Sequence, residues 1–202
     1  VLFLLFSLGK TSYGQIGGKT SFGFTALAFE PHVSSLGGIA LGETNSSMTA
    51  MDFPSALTFA QREINVGYTS LYGSSSAFAF QYIMPHKRLG VLQLGTRYLT
   101  HGILDRRDVL NSYQGKFSVN ELDLYAGTAF NWENYRFGVN LHGLFGQLED
   151  QSSLGLALDF TASWQDTTGL TSLGFALRNL GGEIVPYAGK RRVTPIDLQF
   201  GF

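Results

Sequence analysis

The chain has 202 residues, of which 14% are charged and 14% aromatic, with 25 glycines, no cysteine and a formal net charge of -1. The charged fraction lies below the roughly 25% of an average soluble domain, and no apolar run is long enough for a transmembrane helix. This composition fits an outer-membrane β-barrel and a glycine-rich soluble β protein equally well. The lack of cysteine excludes disulfides and thiolate metal sites, and the near-zero charge does not suggest a nucleic-acid partner.

Residues 1–14 begin with the apolar run Val-Leu-Phe-Leu-Leu-Phe-Ser-Leu and end with Ser12-Tyr13-Gly14. An apolar segment followed by a small-x-small tripeptide is typical of a secretory signal peptide. We therefore predict a signal-peptide remnant over 1–14, with a first strand as the alternative. Because no initiator Met precedes it, we expect the chain to be truncated at its start.

Residues 15–60 show no sustained alternation. Gly17-Gly18, Gly37-Gly38 and Phe53-Pro54 interrupt any long strand here. We predict an N-terminal arm or plug over 15–60, built from short strands or one helical turn.

Alternation of period two is sustained over 61–202 and is clearest from Ser153 to Gln165. In an extended chain one face of this stretch is apolar, with Leu154, Leu156, Leu158, Phe160, Ala162 and Trp164. The other face is small or polar, with Ser153, Gly155, Ala157, Asp159, Thr161 and Ser163. A soluble sandwich strand holds such a pattern over about five or six residues, whereas a bilayer-spanning strand needs roughly 9–11.

The same pattern predicts eight strands over 61–202, so that the fold class is an all-β, antiparallel transmembrane β-barrel with an N-terminal arm or plug. A third strand runs to about Thr100. The residues that share one face of the remaining strands are Ile64, Val66, Tyr68 and Tyr72; Phe78, Phe80, Tyr82 and Met84; Leu122, Leu124, Ala126, Thr128, Phe130 and Trp132; Phe137, Val139, Leu141 and Phe145; Leu173, Phe175 and Leu177; and Ile196, Leu198, Phe200 and Phe202.

The predicted connections alternate between short and long. Turns near 86–90, 133–134 and 166–169 are short, segments 101–117 and 180–194 are long, and 73–75 and 147–152 are intermediate. Short periplasmic turns and longer external loops are the rule in membrane barrels. Trp132 and Trp164 both lie just before short turns, as a periplasmic aromatic girdle would place them.

Five charged or titratable residues fall on the predicted inner faces near mid-strand: Arg97, Asp123, His142, Asp159 and Arg178. An arginine that faced lipid at mid-depth would cost roughly 2–4 kcal/mol. We therefore expect these side chains in the lumen, where they pair across strands or line a conduit.

The predicted external loops carry residue types that commonly anchor interfaces, namely Arg106, Arg107, Tyr113, Tyr187 and Arg191. Their cationic runs would bind lipopolysaccharide phosphates or an acidic patch of a partner protein; an ordinary solvated loop is the alternative.

The sequence contains no recognisable catalytic constellation. The histidines, His32, His86, His101 and His142, have no metal-ligand spacing, and no Gly-x-Ser-x-Gly elbow is present. We expect no enzymatic activity, no cofactor and no metal.

Several segments in order resemble the PorV/PorQ family of type IX secretion, whose barrels are FadL-like. They are Gln15–Phe22, Leu36–Gly38, Gln147–Glu149, Ser153–Asp159, Leu177–Gly181, Pro186-Tyr187 and Thr194–Gly201. Phe53–Leu57 departs from the Asn-Pro-Ala-Leu-like segment usual in the family. Because the family barrel has more than eight strands, the resemblance implies a fragment that lacks its C-terminal strands. A complete small barrel remains the alternative.

The resemblance also implies a function. It indicates a non-enzymatic anchor or scaffold in the cell outer membrane, in a complex with a PorZ-like surface protein and with PorU- and PorV-like proteins. The alternative is a FadL-like transporter of hydrophobic small molecules. A lumen closed by charge pairs and a plug would favour the scaffold, and a lateral opening with an apolar lumen track would favour transport.

Overall fold

The computed structural model describes residues 20–41, 47–57, 62–187 and 189–202. The predicted signal-peptide remnant lies outside the described residues, as do 15–19, 42–46 and 58–60 of the predicted arm.

Eight strands form one antiparallel sheet in which the spatial order equals the sequence order. They are β1 (Glu63–Ser70), β2 (Ser76–His86), β3 (Gly90–Arg107), β4 (Tyr113–Trp132), β5 (Tyr135–Leu148), β6 (Gln151–Gln165), β7 (Ser172–Val185) and β8 (Asp197–Gly201). Among the described residues β1 pairs only with β2, and β8 only with β7, so the sheet is open. The all-β, antiparallel class is thereby confirmed. No described helix has the length and apolar character needed to cross a bilayer.

The two faces of the sheet differ as the alternation predicts. On β6, Asp159 and Thr161 are buried while Leu156 and Phe160 are exposed. On β5, Asn140 and His142 are buried while Leu141 is exposed. Residues 20–41 and 47–57, which we call the N-terminal segment, pack on the buried face of the sheet. We call this face the inner face and the opposite one the outer face. We call the end with the connections 71–75, 108–112, 149–150 and 186–196 the upper end.

The outer face carries an apolar belt bounded by two distinct rows. The strand register aligns the upper row of the belt as Tyr68, Phe78, Tyr98, Leu122, Phe145, Leu154 and Val185. The lowest row contains Trp132, Tyr135, Trp164 and Leu173. Within the described strands β1 to β8, no outward-facing residue between these two rows is Asp, Glu, Lys or Arg. Directly above the belt lies a polar row, Ser70, Ser76, Thr100, Asn120, Gln147 and Ser152.

The N-terminal segment folds into short helices that pack on the inner face. They comprise α1 (Pro31–Ser35) and 3₁₀ helices at Gly23–Ala26, Met48–Met51 and Pro54–Ala56. The Glu30 carboxylate caps α1 by accepting a 2.6 Å hydrogen bond from the Val33 N–H. Phe22, Phe24, Phe29 and Met51 form one buried cluster with side chains of the sheet, including Leu99, Tyr125 and Leu144.

The long connections are shorter than the sequence predicted. The expected 101–117 loop is mostly hairpin, because β3 continues to Arg107 and β4 begins at Tyr113. Neighbouring strands pair with this hairpin only up to Thr100 and from Val119. Its upper part therefore projects with both faces in solvent, which removes the alternation of polar and apolar residues.

The structure differs from the predicted strand boundaries at three further places. The expected 147–152 connection is a tight turn at Glu149 and Asp150, with Glu149 at a φ of 59°. The expected 180–194 loop is shorter at its start, because β7 continues to Val185. Tyr72 lies in the turn after β1 and not on the strand.

Gly138 on β5 lets the N-terminal segment approach the sheet. A Cβ at this position would lie 2.3 Å from the backbone C of Pro54 and the backbone N of Ser55. We expect Gly138→Ala to lower the free energy of unfolding by roughly 1–3 kcal/mol through overpacking, measured by denaturant titration in detergent.

Gly143→Ala on the same strand is the control, because its Cβ would meet nothing closer than 3.7 Å. Limited proteolysis should then cut the N-terminal segment faster in the Gly138 variant alone. Equal stability of the two variants would contradict the described packing.

Candidate functional site

All five inner-face residues predicted from the sequence come together with one residue of the N-terminal segment. Arg97, Asp123, His142, Asp159 and Arg178 lie on β3 to β7 and are all buried. The additional residue is Asp52, which follows the 3₁₀ helix Met48–Met51 and is also buried. We call these six side chains the inner charge network.

Asp52 bridges two arginines from distant strands. Its Oδ1 lies 2.9 Å from Nη1 of Arg97 on β3 and 2.6 Å from Nη2 of Arg178 on β7. Arg97 also donates through Nε and Nη2 to Asp123 Oδ2, at 2.8 and 2.6 Å. Buried charges are tolerated when they are paired and hydrogen-bonded in this way.

His142 lies between two carboxylates. Its Nδ1 is 3.0 Å from Asp123 Oδ2, and its Nε2 is 3.1 Å from Asp159 Oδ2. A carboxylate only accepts hydrogen bonds, so the imidazolium form donates to both partners. With that form the charge of the network balances, because three carboxylates face two guanidinium groups and one imidazolium.

Aromatic rings enclose the two arginines. The Arg97 guanidinium lies 5.5 Å from the Phe29 ring centroid and 5.9 Å from that of Tyr125. The Arg178 guanidinium lies 5.0 Å from the Phe53 ring centroid. Cations at these distances from a ring face are attracted to it. Phe29 and Phe53 belong to the N-terminal segment, so these contacts also hold that segment in place.

A separate chain of side-chain amides runs across the same inner face from β1 to β5. Asn65 donates to Gln81 at 2.9 Å, Gln81 to Gln93 at 2.6 Å, and Gln93 to Asn140 at 2.7 Å. Gln93 also donates to the Ala50 carbonyl at 2.8 Å.

Two further bonds from neighbouring strands complete this docking. Asn140 donates to the Met51 carbonyl at 3.2 Å, and the Thr161 hydroxyl accepts from the Ser55 N–H at 2.8 Å. The sheet thus satisfies backbone groups of a segment whose helices are too short to satisfy them all internally.

The geometry gives the network a structural role. Both nitrogens of His142 are engaged by carboxylates, which leaves neither to activate a nucleophile. Among the described residues no group of three or more His, Cys, Asp and Glu is arranged to hold a metal ion. What the arrangement does is join β3, β4, β5, β6 and β7 to the N-terminal segment.

Sequence reasoning missed Asp52, although a signal was present. It is a lone carboxylate between Met51 and Phe53 in an apolar stretch. A carboxylate in such surroundings needs a buried partner. The predicted inward cationic side chains, Arg97 and Arg178, would have supplied one.

The five partner-binding candidates all lie at the upper end, in two groups. Arg106, Arg107 and Tyr113 lie on the projecting β3–β4 hairpin, and Tyr187 and Arg191 lie in the 186–196 connection. Arg106 forms an ion pair with Glu149. Nη2 of Arg107 lies 3.7 Å from Oδ2 of Asp105. Among the described residues no hydrogen bond or ion pair joins the two groups.

Arg192, a described residue of the 186–196 connection, is held from the inner face by Glu183. Glu183 accepts hydrogen bonds from the Ser21 hydroxyl at 2.7 Å and from the Arg192 N–H at 2.9 Å. Burial, with the nearby carboxylates of Glu121 and Glu183, raises the pKa of Tyr187 to about 12. Tyr187 is therefore a half-buried phenol at neutral pH, while Arg191 is exposed.

The turn at the tip of the β3–β4 hairpin is ordered by a side chain. Asp108 accepts hydrogen bonds from the Ser112 and Leu110 N–H groups, both at 2.9 Å. These bonds lower the pKa of the Asp108 carboxyl, and the bond from Ser112 has the largest effect. In the lower turn the Thr168 hydroxyl, followed by the Thr167 N–H, lowers the pKa of Asp166 in the same way.

No known protein family, curated protein or solved structure matches this chain. The resemblance to the PorV/PorQ family therefore stays a prediction.

Replacing the bridging carboxylate tests the network. Among the described residues, Asp52→Asn leaves Arg178 with Asp197 as its remaining ion-pair partner, whose Oδ2 is 3.7 Å from Nη1. We expect the free energy of unfolding to fall by roughly 3–5 kcal/mol, as when one partner of a buried pair is removed. Denaturant titration in detergent measures the loss.

Asp197→Asn is the matched control, because this carboxylate is 36% exposed and should contribute less than about 1 kcal/mol. If the two variants lost the same stability, Asp52 would not be the centre of the network.

Proposed function

We propose that this chain forms the wall of a transmembrane β-barrel in the outer membrane and acts there as a non-enzymatic anchor. The observation that carries the proposal is the apolar belt of the outer face. A monomeric soluble protein rarely exposes so large a contiguous apolar surface. A bilayer would cover it.

The height of the belt agrees with a bilayer. On β4 it extends from Leu122 to Trp132, which at about 3.3 Å per residue is about 33 Å along the strand. With the usual strand tilt of about 35–45°, this corresponds to a band about 25 Å tall, the height typical of membrane barrels. Trp132, Tyr135 and Trp164 line the lower boundary, where an interfacial girdle is expected.

The filled inner face supports an anchor over a transporter. The N-terminal segment and the inner charge network occupy the face that would line a lumen. A path for hydrophobic molecules would need an apolar track along the inner face. Arg97, Asp123 and Asp159 lie buried on that face instead. FadL-like transport of hydrophobic small molecules is therefore the second candidate.

The resemblance to the PorV/PorQ family suggests what is anchored. We propose that the chain belongs to a type IX secretion surface-attachment complex and holds a PorZ-like protein, together with PorU- and PorV-like proteins. The projecting β3–β4 hairpin supports this assignment, because it extends beyond its neighbouring strands at the upper end. Its tip exposes Val109 and Leu110 fully or nearly so.

Single cysteines test whether the outer face meets lipid, since the chain has no other thiol. In outer membranes we expect Leu158→Cys to react with a lipid-soluble maleimide and to be protected from a charged, water-soluble one. Leu110→Cys at the hairpin tip is the matched control and should react from water. Reaction of position 158 with the charged reagent would refute the membrane proposal.

Shortening the hairpin tests the anchor. We expect replacement of residues 102–117 by a Gly-Ser turn to abolish co-purification of the PorZ-like protein from solubilised membranes. The control replaces 167–170 in a lower turn and should retain the partner. Retention by both variants would contradict hairpin docking. Lost uptake of hydrophobic compounds, with the partner retained, would favour transport.

A further inference from the structure

A groove of about 790 Å³ lies at the upper boundary of the apolar belt. Its lining combines two neighbouring rows of the outer face. Leu122, Phe145 and Leu154 contribute from the apolar row, and Asn120, Gln147 and Ser152 from the polar row above it. We call it the upper-rim groove.

The part of the polar row that lines the groove carries neutral hydrogen-bonding groups. Asn120 is held in place by the Tyr98 hydroxyl, which donates to its Oδ1 at 2.9 Å. Gln147 and Ser152 are exposed and present an amide and a hydroxyl. Such groups both donate and accept, which is what a ligand with many hydroxyls requires.

The charge around the groove is acidic. Glu149 and Asp150 line it; Glu149 is neutralised by its ion pair with Arg106, so the Asp150 carboxylate gives the groove its net charge. A phosphate placed here would meet a like charge, which costs affinity. The groove therefore disfavours the phosphates that the sequence predicted for the cationic upper loops, and it favours a neutral polyhydroxyl group.

We infer that the upper-rim groove binds a glycolipid, with its saccharide on the polar row and its acyl chain along Leu122, Phe145 and Leu154. The inference rests on the proposed function, because the boundary between the polar and apolar rows lies at the level of the lipid headgroups only if the outer face contacts a bilayer. A free sugar would contact only the polar row, and a plain acyl chain would contact only the apolar row below it.

Three probes of related structure separate these ligands. Dodecyl maltoside has both parts, maltose has only the saccharide, and dodecyl phosphate has the same chain with a charged headgroup. We expect protein held in amphipol to bind dodecyl maltoside saturably by calorimetry, and the other two at least about tenfold more weakly.

Variants locate the site. Asn120→Ala with Gln147→Ala should weaken dodecyl maltoside about tenfold or more, through the loss of two hydrogen-bonding groups. Ser152→Phe should block the groove sterically without removing an interior side chain. Ser70→Ala with Ser76→Ala, in the same polar row but outside the groove, should bind as the unmodified protein does.

The outcomes divide cleanly. Equal binding of all three probes, equally tight binding of maltose, or unchanged affinity in both groove variants would overturn the inference. Failure of the protein to insert into bilayers would instead refute the proposed function. Insertion together with unselective binding would refute the glycolipid site alone.

Discussion

Alternation along each strand sends charged and apolar side chains to opposite faces, so one choice of register fixes both. A shift by a single residue would turn Asp123, Asp159 and Arg97 outward and bury the apolar belt. Buried charges without partners are among the costliest defects a fold can carry. The inner charge network and the outer belt therefore specify the same register from two sides.

The N-terminal segment completes the inner face and depends on it in turn. Asp52 joins Arg97 and Arg178, while Gln93 and Asn140 satisfy backbone carbonyls of the segment. Without the segment, the two arginines would lose a shared carboxylate. In the proposed account this mutual dependence closes the lumen, leaving the upper end for contacts with partners.

Sequence periodicity predicted the strands and their faces well, because buried polar residues of β4, β5 and β6, such as Asp123, Asn140 and Asp159, alternate with exposed apolar ones, namely Leu124, Leu141 and Phe160. It failed on the β3–β4 hairpin, where both faces meet solvent and residues such as Asp105 and Arg107 follow no pattern. It also missed Asp52, because its partners lie 45 and 126 residues away along the chain. Local pattern carries no record of such contacts.

The central claim is that the outer face contacts lipid, and the two tryptophans, Trp132 and Trp164, test it in the unmodified chain. Both lie on the lowest row of the belt. After reconstitution into vesicles of lipids brominated at defined depths, their fluorescence should be quenched most by bromines near the headgroups and less by bromines at mid-chain. Fluorescence unaffected by bromines at every depth would contradict the account.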